Sequence, residues 1–450
     1  MKKLIIALTS IVLLISLFIW ARLPEQRFLQ QIQGPIEFPG NLEISQMAAS
    51  QDMADLDLRL LAANVPAQDE VLVQEQQNRA FTASMDGQIW QVDLKTGNSK
   101  PIIQLSLLPA GMVQHPRNLD RIFLCLSRAY PEQEGHDGPG IYELQISTGR
   151  LSPVATRVPK LHKSPDVIFR NSANDPDERP EGNSDSKKPD SGARKEIRSD
   201  LGILYQKKDR PTLFLNALTG ENSQPVVKAD DLAISKDGKR IYFTEPYDHP
   251  GAILGVTEQS RNEAITLGKN GNVWMVDREN RTVSLVAQNY SYIDGILMEY
   301  SGNSDVETSI IASEISTFRL VRLFLSGERE GEDEIVIEGL PGFPDGIDRD
   351  ANGRIWVSFP LMRSGLVNWL HSNPSWKKIV LTIPQRIQPV SRKTALLALS
   401  PDGSKPLFYS IHDGSQFASL IVATPGGERI YLSIYSEGHL GLYTIANPLK

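Results

Sequence analysis

Six stretches of this chain repeat one unit, in which an Asp-Gly, Asn-Gly or Gly-Gly dipeptide leads into an aromatic or aliphatic strand. They read "AFTASMDGQIWQVDL", "LAISKDGKRIYFTEP", "GKNGNVWMVDREN", "DRDANGRIWVSF", "LALSPDGSKPLFYS" and "ATPGGERIYLSI". Two apolar strands joined by such a dipeptide are the strongest short-range hairpin signal, because the turn needs residues that tolerate positive φ. Helical periodicity is nearly absent between the six. Hairpins recurring over roughly 370 residues indicate a propeller or a solenoid. At four strands and about 40–60 residues per blade, this length predicts an all-β, six-bladed propeller. A two-sheet sandwich needs only about 100 residues and leaves the length unexplained.

Composition narrows the function classes. The 450 residues carry a net charge of −7, so no basic surface favours a nucleic-acid partner. The single cysteine, Cys125, excludes an internal disulfide and a thiolate zinc site. The fold must therefore rest on its apolar core, with or without a bound ion.

Two segments depart from the repeat. The N-terminus, "MKKLIIALTSIVLLISLFIWARLPEQ", is apolar from Leu4 to Ala21 behind two lysines. A helix rising about 1.5 Å per residue would span a bilayer core over that length. The run is longer than a secretory signal core and no small-x-small cleavage site follows it, which argues for an uncleaved anchor over a signal peptide. We therefore expect a transmembrane signal anchor over 1–21, a tether and packed lead-in over 22–67, and the propeller over 68–450. The lead-in includes an expected short helix through "ADLDLRLLAA". Lysines before the span hold the N-terminus inside, placing the propeller outside the cytoplasm, in the periplasm if the source is bacterial. The second departure, residues 162–200, is charged and rich in Pro, Ser and Asp. Such a segment buries too little surface to offset its ordering entropy and reads as a disordered insert.

Acidic residues recur in one setting, just before an apolar strand: Glu70, Asp230 with Asp231, Asp294 and Asp345. In a propeller, equivalent loops of successive blades meet at one end of the central channel. Carboxylates gathered there repel one another unless a positive charge sits among them. An all-oxygen set without Cys or His suits a hard cation, and calcium suits an open cage better than magnesium does. The alternative for each Asp alone is an Asx-turn at a strand start.

The motifs "LPGFPDGIDRDANGRIWVSF", "ADDLAISKDGKRIYFTEP", "YIDGIL" and "ASEISTFRLVRLFLSGE" resemble those of the strictosidine-synthase-like branch of the calcium-dependent six-bladed propellers. That group is related to the paraoxonases and to the gluconolactonase (senescence-marker) family. The resemblance runs from about Gln68 to Tyr443 and implies one or two Ca2+ ions held by Glu70, Asp230, Asp294 and Asp345. Two of these are carboxylates where the family pattern has amides, an excess of negative charge that would weaken the ion as a Lewis acid. In the family's hydrolytic members, a His or an acid near the ion activates water or attacks. Asp231 and His115 are the candidates here and His249 a weaker one, while Glu437 lies where the resemblance implies the late glutamate of the plant synthase activity.

Three functions remain open. The first is a membrane-anchored, calcium-dependent hydrolase of lactones or aryl esters. The second is a non-catalytic calcium-stabilised propeller that binds a small molecule or a protein. The third is a strictosidine-type condensing enzyme. A small-molecule ligand and the membrane are the expected partners, and the sequence names no protein partner.

Overall fold

In the computed structural model, the described residues are 26–47, 52–128, 138–161, 201–249, 252–254, 257–302, 304–384, 391–436 and 438–450. The anchor expected over 1–21 and the insert expected over 162–200 both lie outside them. Among the described residues, no helix is long and apolar enough to cross a membrane.

Six antiparallel sheets are arranged as the repeat predicts, each with four strands from the axis outward that are consecutive in the chain in every blade but the sixth. Blade 1 is Gln68–Gln74, Arg79–Ser84, Gln88–Asp93 and Ser99–Gln104. Blade 2 is Leu108–Gln114, Arg121–Ser127, Gly140–Gln145 and Arg150–Ala155. Blade 3 is Leu232–Ile234, Arg240–Glu245, Gly271–Asp277 and Thr282–Tyr290, with the short strands Ile203–Leu204 and Thr212–Phe214 on its outer edge. Blade 4 is Ile293–Tyr300, Glu307–Glu314, Arg319–Phe324 and Asp333–Ile337. Blade 5 is Ile347–Arg349, Ile355–Phe359, Thr394–Leu399 and Pro406–His412. Blade 6 takes Leu420–Pro425, Arg429–Ile434 and Leu440–Ala446 from the C-terminus, and its outer strand, Arg59–Pro66, from the N-terminal side.

That last strand corrects the sequence reading. "ADLDLRLLAA" is not a helix: Met53–Asp55 form one 3₁₀ turn, and Arg59–Pro66 then pairs antiparallel with Leu440–Ala446. The propeller thus begins near residue 59 instead of 68. Pairing the two ends of the chain in one sheet closes the ring, so the outer edge of Leu440–Ala446 is covered.

The hairpin turns follow their dipeptides. Gly87, Gly238, Gly353 and Gly403 adopt φ of +78°, +76°, +81° and +78°, where a Cβ would clash with the backbone. The aspartate before the glycine locks several of these turns: Asp86 accepts the Gln88 N–H at 3.0 Å and Asp237 accepts the Lys239 N–H at 3.0 Å. One expected turn is not a turn. Asn270–Gly271 instead opens the third strand of blade 3, directly after a helix.

Apolar side chains fill the wedges between blades. Trp274, Phe123 and Phe243 pack between blades 2 and 3, and Phe359, Phe318 and Ile355 between blades 4 and 5. Buried indoles still find acceptors: Trp274 donates to Glu245 at 3.0 Å and Trp356 to Asp350 at 3.1 Å. Arg319 and Arg322 are both paired with acids. Arg319 donates to Glu314 at 2.5 Å, and Arg322 donates to Glu299 at 2.7 Å and to Glu334 at 2.6 Å.

Helices absent from the sequence reading cover one end of the ring. They are α1 (Gln26–Gln30), α2 (Leu42–Met47), α3 (Thr257–Thr266), α4 (Gly365–Ser372) and α5 (Lys377–Thr382). The last three are excursions between the second and third strands of blades 3 and 5. The lead-in is stitched to them by backbone and buried side chains. Gln33 N–H donates to Thr266 at 2.9 Å, Ile36 N–H to His371 at 3.0 Å, and the Lys377 ammonium to the Gln33 carbonyl at 2.7 Å.

Around the axis, glycine acts through its missing side chain. A Cβ on Gly295 would lie 2.6 Å from the Asp345 carbonyl oxygen, and one on Gly346 would lie 2.3 Å from Val422 Cγ2. Neither has positive φ, so the need is for close approach of neighbouring inner strands. Gly295→Ala and Gly346→Ala should each lower stability by about 1–3 kcal/mol through overpacking, read as a shift in the urea midpoint. A Gly365→Ala control, where a Cβ meets nothing within 4 Å, should shift little.

Candidate functional site

The loops that start the inner strands of blades 1, 3, 4 and 5 meet at the helix-covered end of the channel, and each brings acid. The blade 3 loop, Lys228–Asp231, is held by its backbone. Asp230 N–H donates to the Thr244 carbonyl at 3.1 Å, Thr244 N–H to the Asp231 carbonyl at 2.9 Å, and Gly111 N–H of blade 2 to the Asp230 carbonyl at 2.7 Å. Glu245, fully buried, braces the same loop by accepting the Val227 N–H at 2.8 Å and the Trp274 indole N–H at 3.0 Å. On blade 4, Glu314 accepts the Ser291 N–H at 2.6 Å and so fixes the approach to Asp294. On blade 5, Asp345 N–H donates to Ser358 at 3.1 Å and Gly346 N–H to Ile421 of blade 6 at 3.0 Å.

The acids fall into two interacting groups. Asp69, Asp230, Asp294 and Asp345 form the first, with Lys228 among them. The Lys228 ammonium lies 2.8 Å from Asp230 Oδ2, 4.9 Å from the Tyr247 ring centroid and 5.7 Å from that of Tyr292. Asp294 and Asp345 each lie close enough to influence the other's charge, and burial pushes both toward the protonated form. Glu70, Asp231 and Asp348 form the second. Asp231 spans blades, accepting the Leu232 N–H at 2.7 Å and the Ile296 N–H of blade 4 at 2.8 Å.

Burial dominates the electrostatics, and like charge adds to it. Asp69, Glu70 and Asp294 are pushed well above the usual carboxylate range by desolvation and then by neighbouring acids. Desolvation likewise raises Asp231, Asp345 and Asp348 to about 7. Burial alone would lower the Lys228 pKa, but Asp230, the two tyrosines and Asp294 outweigh it and raise it, so the side chain stays an ammonium. Asp69, Glu70, Asp231, Asp345 and Asp348 keep part of their surface exposed, and on inner-strand loops that surface faces the channel. A hollow of about 690 Å³ lined by Gln206, Lys207, Lys208, Gly327, Glu328 and Glu330 lies on the outer edges of blades 3 and 4 and contains none of these groups.

Several buried hydroxyls among the described residues have no partner, those of Ser291, Ser316 and Tyr435 among them. Tyr435, after the second strand of blade 6, has a buried Oη that makes no hydrogen bond, and its surroundings are set by Asp69, Lys228, Asp230 and Tyr247. Burial and the two acids raise its pKa, so it stays a neutral donor.

Of the residues expected from sequence, Asp230, Asp294 and Asp345 are brought together. Glu70 sits in the neighbouring group, and Asp69, one position earlier, takes its place beside them. As folded, the four expected ligands do not enclose a common centre: no group of three His, Cys, Asp or Glu among the described residues is placed to hold one ion. Asp231 lies at the site. His115 does not, because it follows the far end of the blade 2 inner strand, about 13 Å beyond Gly111 at 3.3 Å per residue. There it stacks on Phe123 and accepts the Arg117 N–H at 3.1 Å. His249 is committed to Glu263 at 2.7 Å beneath the Phe28 ring, and Glu437 lies outside the described residues. Sequence reasoning missed Asp69, Lys228, Asp348 and Tyr435. The first three lie within three residues of ones it did select, so the available signal was a second charged group in the loops of blades 1, 3 and 5.

No family model matches the chain. In sequence it is related to adipocyte plasma membrane-associated proteins and to strictosidine synthase-like proteins. It is 25% identical to the Bos taurus adipocyte plasma membrane-associated protein over 249 residues, which is 52% of this chain and 54% of that protein. It is 27% identical to the Danio rerio protein over 232 residues, 49% of this chain and 50% of the other. A strictosidine synthase-like protein of Arabidopsis thaliana is 27% identical over 168 residues, 37% of this chain and 42% of its own. The chain thus spans about half the length of the curated relatives it matches. Among solved structures, a gluconolactonase from Xanthomonas campestris aligns at 11% identity over 93% of this chain and 97% of its own, with a TM-score of 0.49. A putative gluconolactonase aligns at 12% identity over 92% and 98%, with a TM-score of 0.48.

Glu245 gives the pH dependence a checkable sign. Burial and then Asp248 raise its pKa from 4.5 to about 7. A carboxyl raised on folding stabilises the fold fully below its unfolded pKa, and that contribution is lost as pH rises through the folded value. Stability should therefore fall between pH ~4.5 and ~7 in part through Glu245. Glu245→Gln should flatten that part of the curve in denaturant midpoints measured across the range.

Proposed function

We propose that the chain hydrolyses small lactones or aryl esters at the acid-lined end of its channel. The observation that carries this reading is the buried, unpartnered Tyr435 hydroxyl, whose charged neighbours are Asp69, Lys228 and Asp230. A buried donor without an acceptor costs stability, and a carbonyl oxygen arriving in the channel would satisfy it. Tyr435 O–H and Lys228 N–H would then face the oxygen on which negative charge develops when water attacks.

Asp231 is the group assigned to the water. Its two backbone hydrogen bonds fix its orientation and leave lone pairs free, and a pKa of about 7 suits a base working at neutral pH. Water oxygen bonds to the acyl carbon as its proton passes to Asp231. Collapse of the tetrahedral intermediate then breaks the acyl carbon–oxygen bond, and the leaving oxygen takes that proton. Calcium is the cofactor implied by the resemblance. Because the expected ligands share no centre as they are folded, no part of this step is assigned to an ion.

A second reading is a propeller that binds a small molecule without turning it over. It is favoured by the absence of any histidine from the acid cluster among the described residues, and by the double backbone tether on Asp231. For location, we propose that the propeller is held at a membrane outside the cytoplasm. Support comes from the apolar run Leu4–Ala21 and from exposed Leu366, Trp369, Trp376 and Ile379 on the helical cap, to which α1 is joined.

The readings separate in one assay of the full chain on phenyl acetate and a panel of lactones. Turnover should fall about a hundredfold in Asp231→Asn and about tenfold or more in Tyr435→Phe. His115→Gln should leave it unchanged. No turnover on any substrate, with a panel member still raising the melting temperature, would replace hydrolysis by binding.

A further inference from the structure

We infer that Lys228 is the resident counter-cation of the channel cluster, occupying with its ammonium the place that a divalent ion would otherwise have to fill. It lies 2.8 Å from Asp230 of its own loop, at the end of the channel where the inner strands of blades 1, 4 and 5 bring Asp69, Asp294 and Asp345. The position is built, not incidental. Lys228 is 4% exposed and Asp230 6% exposed. The ammonium lies over the Tyr247 ring and near that of Tyr292, where the π-faces favour a cation. The loop bearing it is fixed one residue earlier, where Val227 N–H meets Glu245.

Charge and geometry then agree. A buried carboxylate set needs a positive partner, and the ammonium sits 2.8 Å from the nearest carboxylate oxygen. A second cation would have to enter against this fixed charge, and no three acids of the cluster converge on a centre that would receive it. Of the two extra carboxylates that distinguish this chain from the pattern it resembles, Asp230 is thus paired with a lysine in its own loop. The site would recognise a neutral, oxygen-rich ligand through ammonium, hydroxyl and carboxyl groups, with no metal between. This inference does not depend on hydrolysis, because ion binding is read directly.

The test uses the full chain in detergent, with calcium chloride as the probe, by isothermal titration and by melting with and without chelator. Wild type should take up no calcium at stoichiometric level and should melt at the same temperature in both conditions. Lys228→Met should melt lower in chelator, by roughly 5 °C or more, because it leaves buried carboxylates unpaired. Millimolar calcium should restore much of that loss by binding the emptied cluster. Lys228→Arg, which keeps the charge, should behave as wild type toward calcium. Stoichiometric calcium uptake by wild type with a raised melting temperature would overturn the inference, whether or not Lys228→Met folds. Loss of any hydrolysis in chelator would also overturn it, while leaving the hydrolase reading intact.

Discussion

Carboxyl groups from four blades can sit within one buried space only if their mutual repulsion is relieved, and that requirement organises the closed end of this propeller. Relief comes from three sources. The Lys228 ammonium pairs with Asp230, burial pushes Asp294 and Asp345 toward their neutral forms, and backbone N–H groups point at Asp231. The groups from different blades meet because neighbouring inner strands approach closely at Gly111, Gly295 and Gly346. Ring closure, glycine placement and charge compensation are therefore one problem with one solution.

The helical cap extends that solution. Glu245 and Glu314 each sit at the end of a second strand and brace the loop that carries acids toward the axis. Beyond Glu245 the chain leaves the sheet for α3, and it returns through Asn270, which donates to the buried Glu263 at 2.8 Å. The same Glu263 meets His249. Polar contacts thus run continuously from the acid cluster through the second strand of blade 3 to the cap and on to the lead-in. Disturbing the lead-in at Gln33 or Ile36 would be felt at the mouth of the channel.

The architecture was legible because hairpin turns are local chemistry. Asp86–Gly87, Asp237–Gly238 and Asp402–Gly403 share a serine two residues before the aspartate, and each forms the turn its sequence requires. The same dipeptide misleads elsewhere. At Asp294–Gly295 and Asp345–Gly346 the glycine serves a contact with the next blade, and nothing within ten residues reports that. The outer strand Arg59–Pro66 was unreadable for a related reason: its partner lies some 380 residues away, and its apolar positions suit a short helix equally well. The helices α3 to α5 carry buried polar groups such as Asn262, Glu263 and Lys377, so no clean apolar stripe announced them.

The candidate site shows the same division between local and distant information. Asp230, Asp294 and Asp345 stood out because each precedes an apolar strand, and that setting fixes where the backbone goes. It does not fix which of two adjacent acids turns toward the axis. A register irregularity between Gln68 and Glu70 sends Asp69 to the first group of acids and Glu70 to the second. Lys228 was invisible for a deeper reason. A lysine two residues from an aspartate is ordinary surface composition, and only the rings of Tyr247 and Tyr292, brought from other strands, convert it into a buried ion pair. The charge balance of a convergent site belongs to the closed ring and cannot be read from any one loop.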